Sequence, residues 1–155
     1  MVTFSANSVD DVLKSFPTHA ISKLDGRPTY EKLNPMIKEL QKCAIAIPSS
    51  ESRGHLYLTT TDARYLAITG NIKTIPVTPP ALAPLTTTMK QYQIHACQEK
   101  HKEQVRQYRL HNLVDAALKK LLTDAIDEIY FSGITLHKAT TLEIIEHLKR
   151  KYYKI

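Results

Sequence analysis

The spacing of apolar residues in the C-terminal half most constrains the fold of this chain. From residue 88 onward they recur every three or four positions, which places them on one face of a helix. A loose first stripe is interrupted by a charged stretch at residues 99–103, and a more regular second stripe follows. The first comprises Met89, Tyr92, Ala96, Cys97, Val105 and Tyr108, and the second Leu113, Ala117, Leu118, Leu121, Leu122, Ala125, Ile126 and Ile129. We therefore predict two helices, with a break at Asn112 and an end at Gly133.

A further helix is predicted to follow, because Thr140 and Glu143 have the spacing of a capping box. Its apolar face would contain Ile145 and Leu148. The core is expected to form where the second stripe meets the helices on either side of it. We expect Leu118, Leu121, Leu122, Ile126 and Ile129 to pack against Met36, Ile37, Leu40 and Ile145.

A fourth apolar stripe predicts a helix in the N-terminal half, formed by Leu33, Met36, Ile37, Leu40, Cys43, Ala44 and Ile47. Pro35 lacks an N–H group, and its ring clashes with the preceding turn of a helix. We therefore predict that this helix begins at Pro35 with Asn34 as its N-cap, and that it ends at Pro48.

The segment between the helical halves contains signals for short elements. Residues 55–60 and 72–77 have strand-like composition and predict two short strands that pair as a ribbon. Between them, Thr61 is expected to cap a short helix that Gly70 ends. Four of the eight prolines then fall close together, which predicts an extended Pro-rich linker near residues 74–86.

These elements predict a mainly α protein, a compact multi-helix domain with at most one short two-stranded β ribbon. The length of 155 residues fits one domain, and we assign residues 1–27 to an N-terminal arm and 28–155 to the helical domain. No apolar run is long enough to span a bilayer, and the first residues do not resemble a signal peptide. A cytoplasmic protein with no membrane partner is expected, with Cys43 and Cys97 reduced and buried.

No motif for catalysis or cofactor binding is present in the sequence. It has neither a nucleophile elbow nor a Gly-rich phosphate loop, and its seven histidines do not have the spacing of a metal site. We therefore predict that the protein is not an enzyme and that it requires no cofactor.

The net charge of +6 is compatible with a nucleic-acid partner. Two clusters of basic residues with neighbouring aromatics are candidate phosphate contacts, and ordinary solvated helix faces are the alternative. The clusters contain Lys100, Lys102, Arg106 and Arg109, and Lys149, Arg150 and Lys151.

Several segments, taken in order, resemble the N-terminal half of Gag-like polyproteins of copia-type LTR retrotransposons. The similar segments are residues 24–30 with Leu33 and Leu40, Gly54-His55-Leu56, Ala63 and Tyr65 near Thr69-Gly70, the Pro-rich stretch, residues 112–130, and His147-Leu148 before Tyr152 and Ile155. Two positions depart from the family: only Ser52-Arg53-Gly54 stands where a Gly-rich run is frequent, and Tyr153 stands where a terminal Gly usually falls.

The resemblance implies an N-terminal capsid-like domain that associates with itself to build particles. With two cysteines, the chain lacks the zinc knuckle that such polyproteins often carry, so only weak, non-specific RNA binding is expected. Because aromatic residues are enriched in interface cores, the candidate self-association residues are Tyr92, Tyr108, Tyr152 and Tyr153. The competing hypothesis is a helical nucleic-acid-binding module that acts as a monomer or dimer.

Overall fold

A computed structural model describes residues 6–17, 21, 23–49, 53–76 and 88–152 of the chain. Within these residues the protein is mainly helical, as predicted, and contains no β-strand. The five α-helices are α1 (Val9–Ser15), α2 (Tyr30–Ala46), α3 (Asp62–Thr69), α4 (Gln91–Ala125) and α5 (Thr141–Tyr152). Two 3₁₀ turns, Leu56–Leu58 and Glu128–Phe131, lie between them.

The long helix α4 is the centre of the fold, and α1, α2 and α5 all contact it. Ser8 is the N-cap of helix α1, and its hydroxyl accepts the Asp11 N–H at 3.2 Å. Its Val12 and the following Phe16 are buried in the common core. Part of the predicted N-terminal arm therefore docks on the helical domain.

Helix α2 begins earlier than predicted, so the prediction of Asn34 as N-cap is wrong. The N-cap is Thr29, whose side chain accepts the Lys32 N–H at 3.4 Å. Pro35 lies inside the helix with its ring exposed, where the i−4 hydrogen bond to Glu31 is missing. The helix tolerates Pro35 because its other face is buried on both sides of the proline, at Leu33, Met36, Ile37 and Leu40.

The C-terminal end of α2 is closed by Gly54 and His55. The His55 N–H donates to Ala44 O at 2.9 Å, and the His55 ring bonds to Ile47 O through Nδ1 at 2.8 Å. Gly54 adopts a φ of +57°, which brings its backbone against the carbonyls of the last turn. A side chain would not fit there, so this position requires glycine.

The predicted β ribbon does not form. Residues 56–60 are all buried rather than alternately buried, because they form a 3₁₀ turn and its continuation. Lys73 anchors the segment after α3: its Nζ donates to Thr60 O at 2.8 Å and pairs with Asp62 at 3.3 Å. Its side chain is only 6% exposed. Residues 72–76 of the predicted second strand are described and form no strand, and residue 77 and most of the Pro-rich linker lie outside the described residues.

Helix α3 has the caps that its sequence predicts. The Thr61 side chain accepts the Arg64 N–H at 3.3 Å, and Gly70 ends the helix with a φ of +77°. These bonds join neighbouring residues, so short-range sequence signals were sufficient to predict them.

Helix α4 is continuous, so the predicted break at Asn112 is wrong. Asn112 is exposed, while Leu110 and Val114 on either side of it are buried. The buried apolar face of the helix therefore continues from one side of Asn112 to the other. The helix also ends before Gly133. Its final carbonyl, Ala125 O, accepts the Leu24 N–H at 2.6 Å.

Two sets of hydrogen bonds hold the start of α5, one from its own capping box and one from α4. The predicted capping box is confirmed, with Thr140 and Glu143 exchanging side-chain to backbone bonds of 3.2 Å each. From α4, Asp115 accepts the Thr141 N–H through Oδ1 at 3.1 Å. Lys119 donates to two carbonyls of the loop before α5 at 2.9 Å each.

Most of the predicted core is confirmed, and one residue is wrong. Leu118, Leu121, Leu122 and Ile126 are buried in the same cluster as Met36, Ile37, Leu40 and Ile145. Ile129 is 68% exposed, because the helix ends before it and the following 3₁₀ turn directs it outward. Of the two cysteines, Cys43 is buried as predicted and Cys97 is exposed, which corrects that prediction.

None of the helices in the described part of the chain combines the length and apolar character needed to cross a bilayer.

Candidate functional site

The first half of α4 contains no buried side chain. In residues 91–109, which we call the open half of α4, every side chain is exposed or only partly buried. The second half differs, because seven of its residues, beginning at Leu110, are buried in the core. The chain therefore maintains several helical turns that contribute little to its own core.

One side of the open half is apolar enough to form a contact surface. Residues spaced by three and four positions share a helix face, and here they form what we call the seam: Ile94, Cys97, His101, Val105 and Tyr108. Ile94, His101 and Tyr108 are partly buried, and Cys97 and Val105 are exposed. Tyr92 lies on the opposite side of the helix, where it is also exposed.

Charged pairs lie along the open half, and both of their carboxylates are on the side of the helix away from the seam. Lys102 pairs with Glu99 at 3.5 Å, and Arg106 pairs with Glu103 at 2.7 Å. The hydrogen bonds from Arg106 and then Gln107 lower the pKa of Glu103 to about 2. The open half therefore presents paired carboxylates and cations along its length.

Three of the four predicted phosphate contacts on α4 share one cleft of about 310 Å³. It is lined by Ala6, Asn7, His101, Lys102, Val105, Arg106, Arg109 and Leu110. Lys102, Arg106 and Arg109 face it together because the i, i+4, i+7 spacing places them on one side of the helix. Lys100 does not line this cleft.

The second basic cluster does not form one surface. Consecutive residues on a helix point about 100° apart, so Lys149, Arg150 and Lys151 diverge. Lys149 lies near Glu146 at 3.9 Å, and Lys151 donates to the Ser132 hydroxyl at 2.7 Å. Arg150 is exposed.

The candidate tyrosines occupy different environments. Tyr92 is exposed, and Tyr108 on the seam is partly buried. The ring of Tyr152 packs edge-on against Tyr130 with centroids 5.7 Å apart, and the Arg27 guanidinium lies 5.3 Å from its centroid. Tyr152 therefore makes contacts with residues of its own domain. Tyr153 lies outside the described residues.

A second cleft, of about 410 Å³, unites residues that no sequence motif connects. Helices α2, α3 and α5 and the segment 59–61 form its walls. The lining residues are Tyr30, Asn34, Ile37, Lys38, Gln41, Thr59, Thr60, Thr61, Arg64, Glu146 and Lys149. Only Lys149 among the cations was a candidate from the sequence, because the cleft is assembled by tertiary packing.

A row of aromatic side chains connects the end of α2 to α4. The Tyr57 and His111 rings lie nearly parallel with centroids 5.6 Å apart, and Tyr57 Oη is hydrogen-bonded to His111 Nδ1 at 2.8 Å. Burial lowers the pKa of His55 to about 4, outweighing the hydrogen bond to Ile47 O that raises it. Burial also lowers the pKa of His111, while Asp115 raises it. Both histidines are thus held in the neutral form near neutral pH.

Among the residues that the structure describes, no group of three or more His, Cys, Asp or Glu side chains is arranged to hold a metal ion. Comparison of the chain with models of known protein families, with curated proteins and with solved structures finds no match in any of the three.

Proposed function

We propose that this chain is a structural, capsid-like domain of the Gag type that self-associates in the cytoplasm, and that the seam on the open half of α4 is the surface between copies. The observation that carries the proposal is the lack of burial along residues 91–109. A helical segment with little tertiary packing is marginal in water, and packing against a second copy would stabilise this one.

The seam contains no Lys, Arg, Asp or Glu side chain, which supports a second copy of the same chain as the partner. A symmetric interface joins one surface to itself, so its charges must complement each other. The open half carries Glu99 and Glu103 among Lys100, Lys102 and Arg106. Both carboxylates lie away from the seam and pair with Lys102 and Arg106 of the same helix, so a contact along the seam would not bury them.

The resemblance to Gag-like proteins also favours assembly, since particles form from many weak contacts between identical domains. Such assembly requires rigid helices and no catalytic group. The domain alone would be mainly monomeric when dilute. Because the chain carries a charge of +6, salt should favour association by screening its self-repulsion.

Sedimentation velocity from micromolar to millimolar protein, at low and high salt, tests the proposal. We expect the average mass to rise with concentration and Val105→Ser to weaken this rise. Ile45→Ser is the matched control, because Val105 and Ile45 are each 43% exposed and Ile45 lies on α2. A mass that stays monomeric, or an equal effect of both variants, would contradict the assignment of the seam.

Nucleic-acid binding is the second candidate, favoured by the shared cleft of Lys102, Arg106 and Arg109. We expect weak binding of single-stranded RNA with a steep salt dependence. Arg109→Gln should flatten the slope of log affinity against log salt by about 0.7, the value for one lost phosphate contact. Arg150→Gln is the control from the divergent cluster. Specific, nanomolar binding of one RNA sequence would favour this candidate over self-association.

A further inference from the structure

The cleft between α2, α3 and α5 is separate from the seam and plays no part in self-association as proposed above. Its volume of about 410 Å³ lies in the range of small-molecule sites, which is about 300–1,000 Å³. Most of its lining side chains are polar, and they come from segments far apart in the sequence. The nature of those groups restricts the ligand that would fit.

Two positive charges at this cleft have no carboxylate partner among the residues that the structure describes. Three cations line it, and one of them, Lys149, lies 3.9 Å from Glu146. Lys38 and Arg64 form no ion pair with any carboxylate in the part of the chain that the structure describes. Uncompensated cations around a concavity attract anions, and a guanidinium matches the geometry of a phosphate group. In the α4 cleft, by contrast, Lys102 and Arg106 already have carboxylate partners.

The buried threonines of the cleft can accept hydrogen bonds from a ligand. Thr59 and Thr60 are 3% and 2% exposed, and their hydroxyls donate to Leu56 O at 2.9 and 3.3 Å. With the protons committed, each hydroxyl oxygen can still accept a hydrogen bond. Glu146 is a further acceptor among the lining residues. A ligand that carries only an anionic group would leave these acceptors without donors.

We propose that this cleft binds a small phosphorylated sugar, free or as part of a nucleotide. The phosphate would lie between Lys38 and Arg64, and the sugar hydroxyls would donate to Thr59, Thr60 and Glu146. An extended polyanion fits less well, because binding along a strand needs a row of cations and this cleft offers two unpaired ones.

Isothermal titration calorimetry with ribose 5-phosphate, inorganic phosphate, ribose and AMP tests this assignment on the full chain. We expect saturable one-to-one binding of ribose 5-phosphate, tighter than that of phosphate or ribose alone. AMP binding more tightly than ribose 5-phosphate would identify a nucleotide as the source of the sugar phosphate, and weaker AMP binding would identify the free sugar phosphate.

Lys38→Gln and Arg64→Gln should each weaken the binding of ribose 5-phosphate about tenfold, as expected for the loss of one charged hydrogen bond. Both residues are exposed, so the fold should be retained, and thermal melting checks this. Lys42→Gln is the matched control, since it removes the same charge from α2 at a residue that pairs with Glu39 and does not line the cleft.

Three results would overturn the proposal. The first is no saturable binding of ribose 5-phosphate up to about 10 mM, a concentration that detects even millimolar affinity. The second is an equal loss with Lys42→Gln, which would indicate general attraction to a basic protein. The third is phosphate binding as tightly as ribose 5-phosphate, which would leave the threonines without a role.

Discussion

Gly54 combines a backbone conformation and a close approach that other residues cannot reproduce. A Cβ atom there would lie 2.5 Å from Ile45 O and 2.7 Å from Ile47 O, in addition to the strain of a positive φ. We predict that Gly54→Ala lowers the free energy of unfolding by about 3 kcal/mol. Gly70→Ala should cost only about 1 kcal/mol, since Gly70 also has a positive φ but nothing within 4 Å of the added atom. Urea denaturation measures both, and equal losses would show that the close approach at Gly54 does not exist.

His55 should make the stability of the fold depend on pH. Its pKa is about 4 in the folded protein against an ordinary value of 6.5, so the folded state favours the neutral ring. The free energy of unfolding is therefore not reduced by His55 above pH 6.5. It decreases as the pH falls from 6.5 toward 4, because His55 of the unfolded chain takes up a proton before His55 of the folded chain does. The largest loss is roughly 3 kcal/mol, from 1.36 kcal/mol for each pKa unit, and the lowered pKa of His111 adds to it in the same direction.

Urea midpoints at pH 7.5 and pH 4.5 test this dependence. We expect His55→Gln to reduce the difference between the two midpoints, although it also lowers stability at pH 7.5. The control is His137→Gln, which alters an exposed histidine and should leave the difference unchanged. A His55→Gln variant with the full pH dependence would assign the effect to other groups.

Among the secondary-structure elements, helix α2 contains a proline in its interior, and an interior proline destabilises a helix. Pro35 has no N–H group and so removes one backbone hydrogen bond, yet its ring is exposed and contributes no core packing. We predict that Pro35→Ala stabilises the protein by about 1 kcal/mol, after the greater freedom of the unfolded chain is deducted. Thermal melting and far-UV circular dichroism measure the effect. A loss of stability would mean that the proline shapes α2 for its packing on α4.

Local signals predicted some elements well and others poorly, for a physical reason. Thr61 and the Thr140–Glu143 pair cap helices through bonds within four residues, so the sequence contains the whole interaction. Whether α2 continued through Pro35, and α4 through Asn112, depended on burial against distant helices. That information is absent from a window of neighbouring residues.

The two candidate clefts also differ in how far the sequence predicts them. Lys102, Arg106 and Arg109 lie on one helix, so their spacing alone predicts a shared face. Lys38 and Arg64 come together only because α2 and α3 pack around the same turn. No spacing in the sequence indicates that second cleft, and its polar character depends on threonines whose burial is a tertiary effect.

For the molecule as a whole, the junction of α4 with the other helices should determine stability. Leu122 is fully buried there. Leu122→Ala should cost about 2–5 kcal/mol, which corresponds to a fall in the melting temperature of about 5–15 °C. Leu113→Ala, a partly buried leucine on the same helix, is the control and should cost less. A change within error for Leu122→Ala would mean that the core is not centred on this part of α4.

Cross-linking through Cys97 measures whether two copies of the chain meet along the seam of α4, as proposed above. Cys97 is exposed and lies on the seam between Ile94 and His101, while Cys43 is buried. A short bismaleimide reagent should therefore join two copies through Cys97. We predict a covalent dimer whose yield rises with protein concentration, falls in Val105→Ser and is unchanged in Ile45→Ser. Complete modification of Cys97 with no dimer at millimolar protein would contradict the proposed interface.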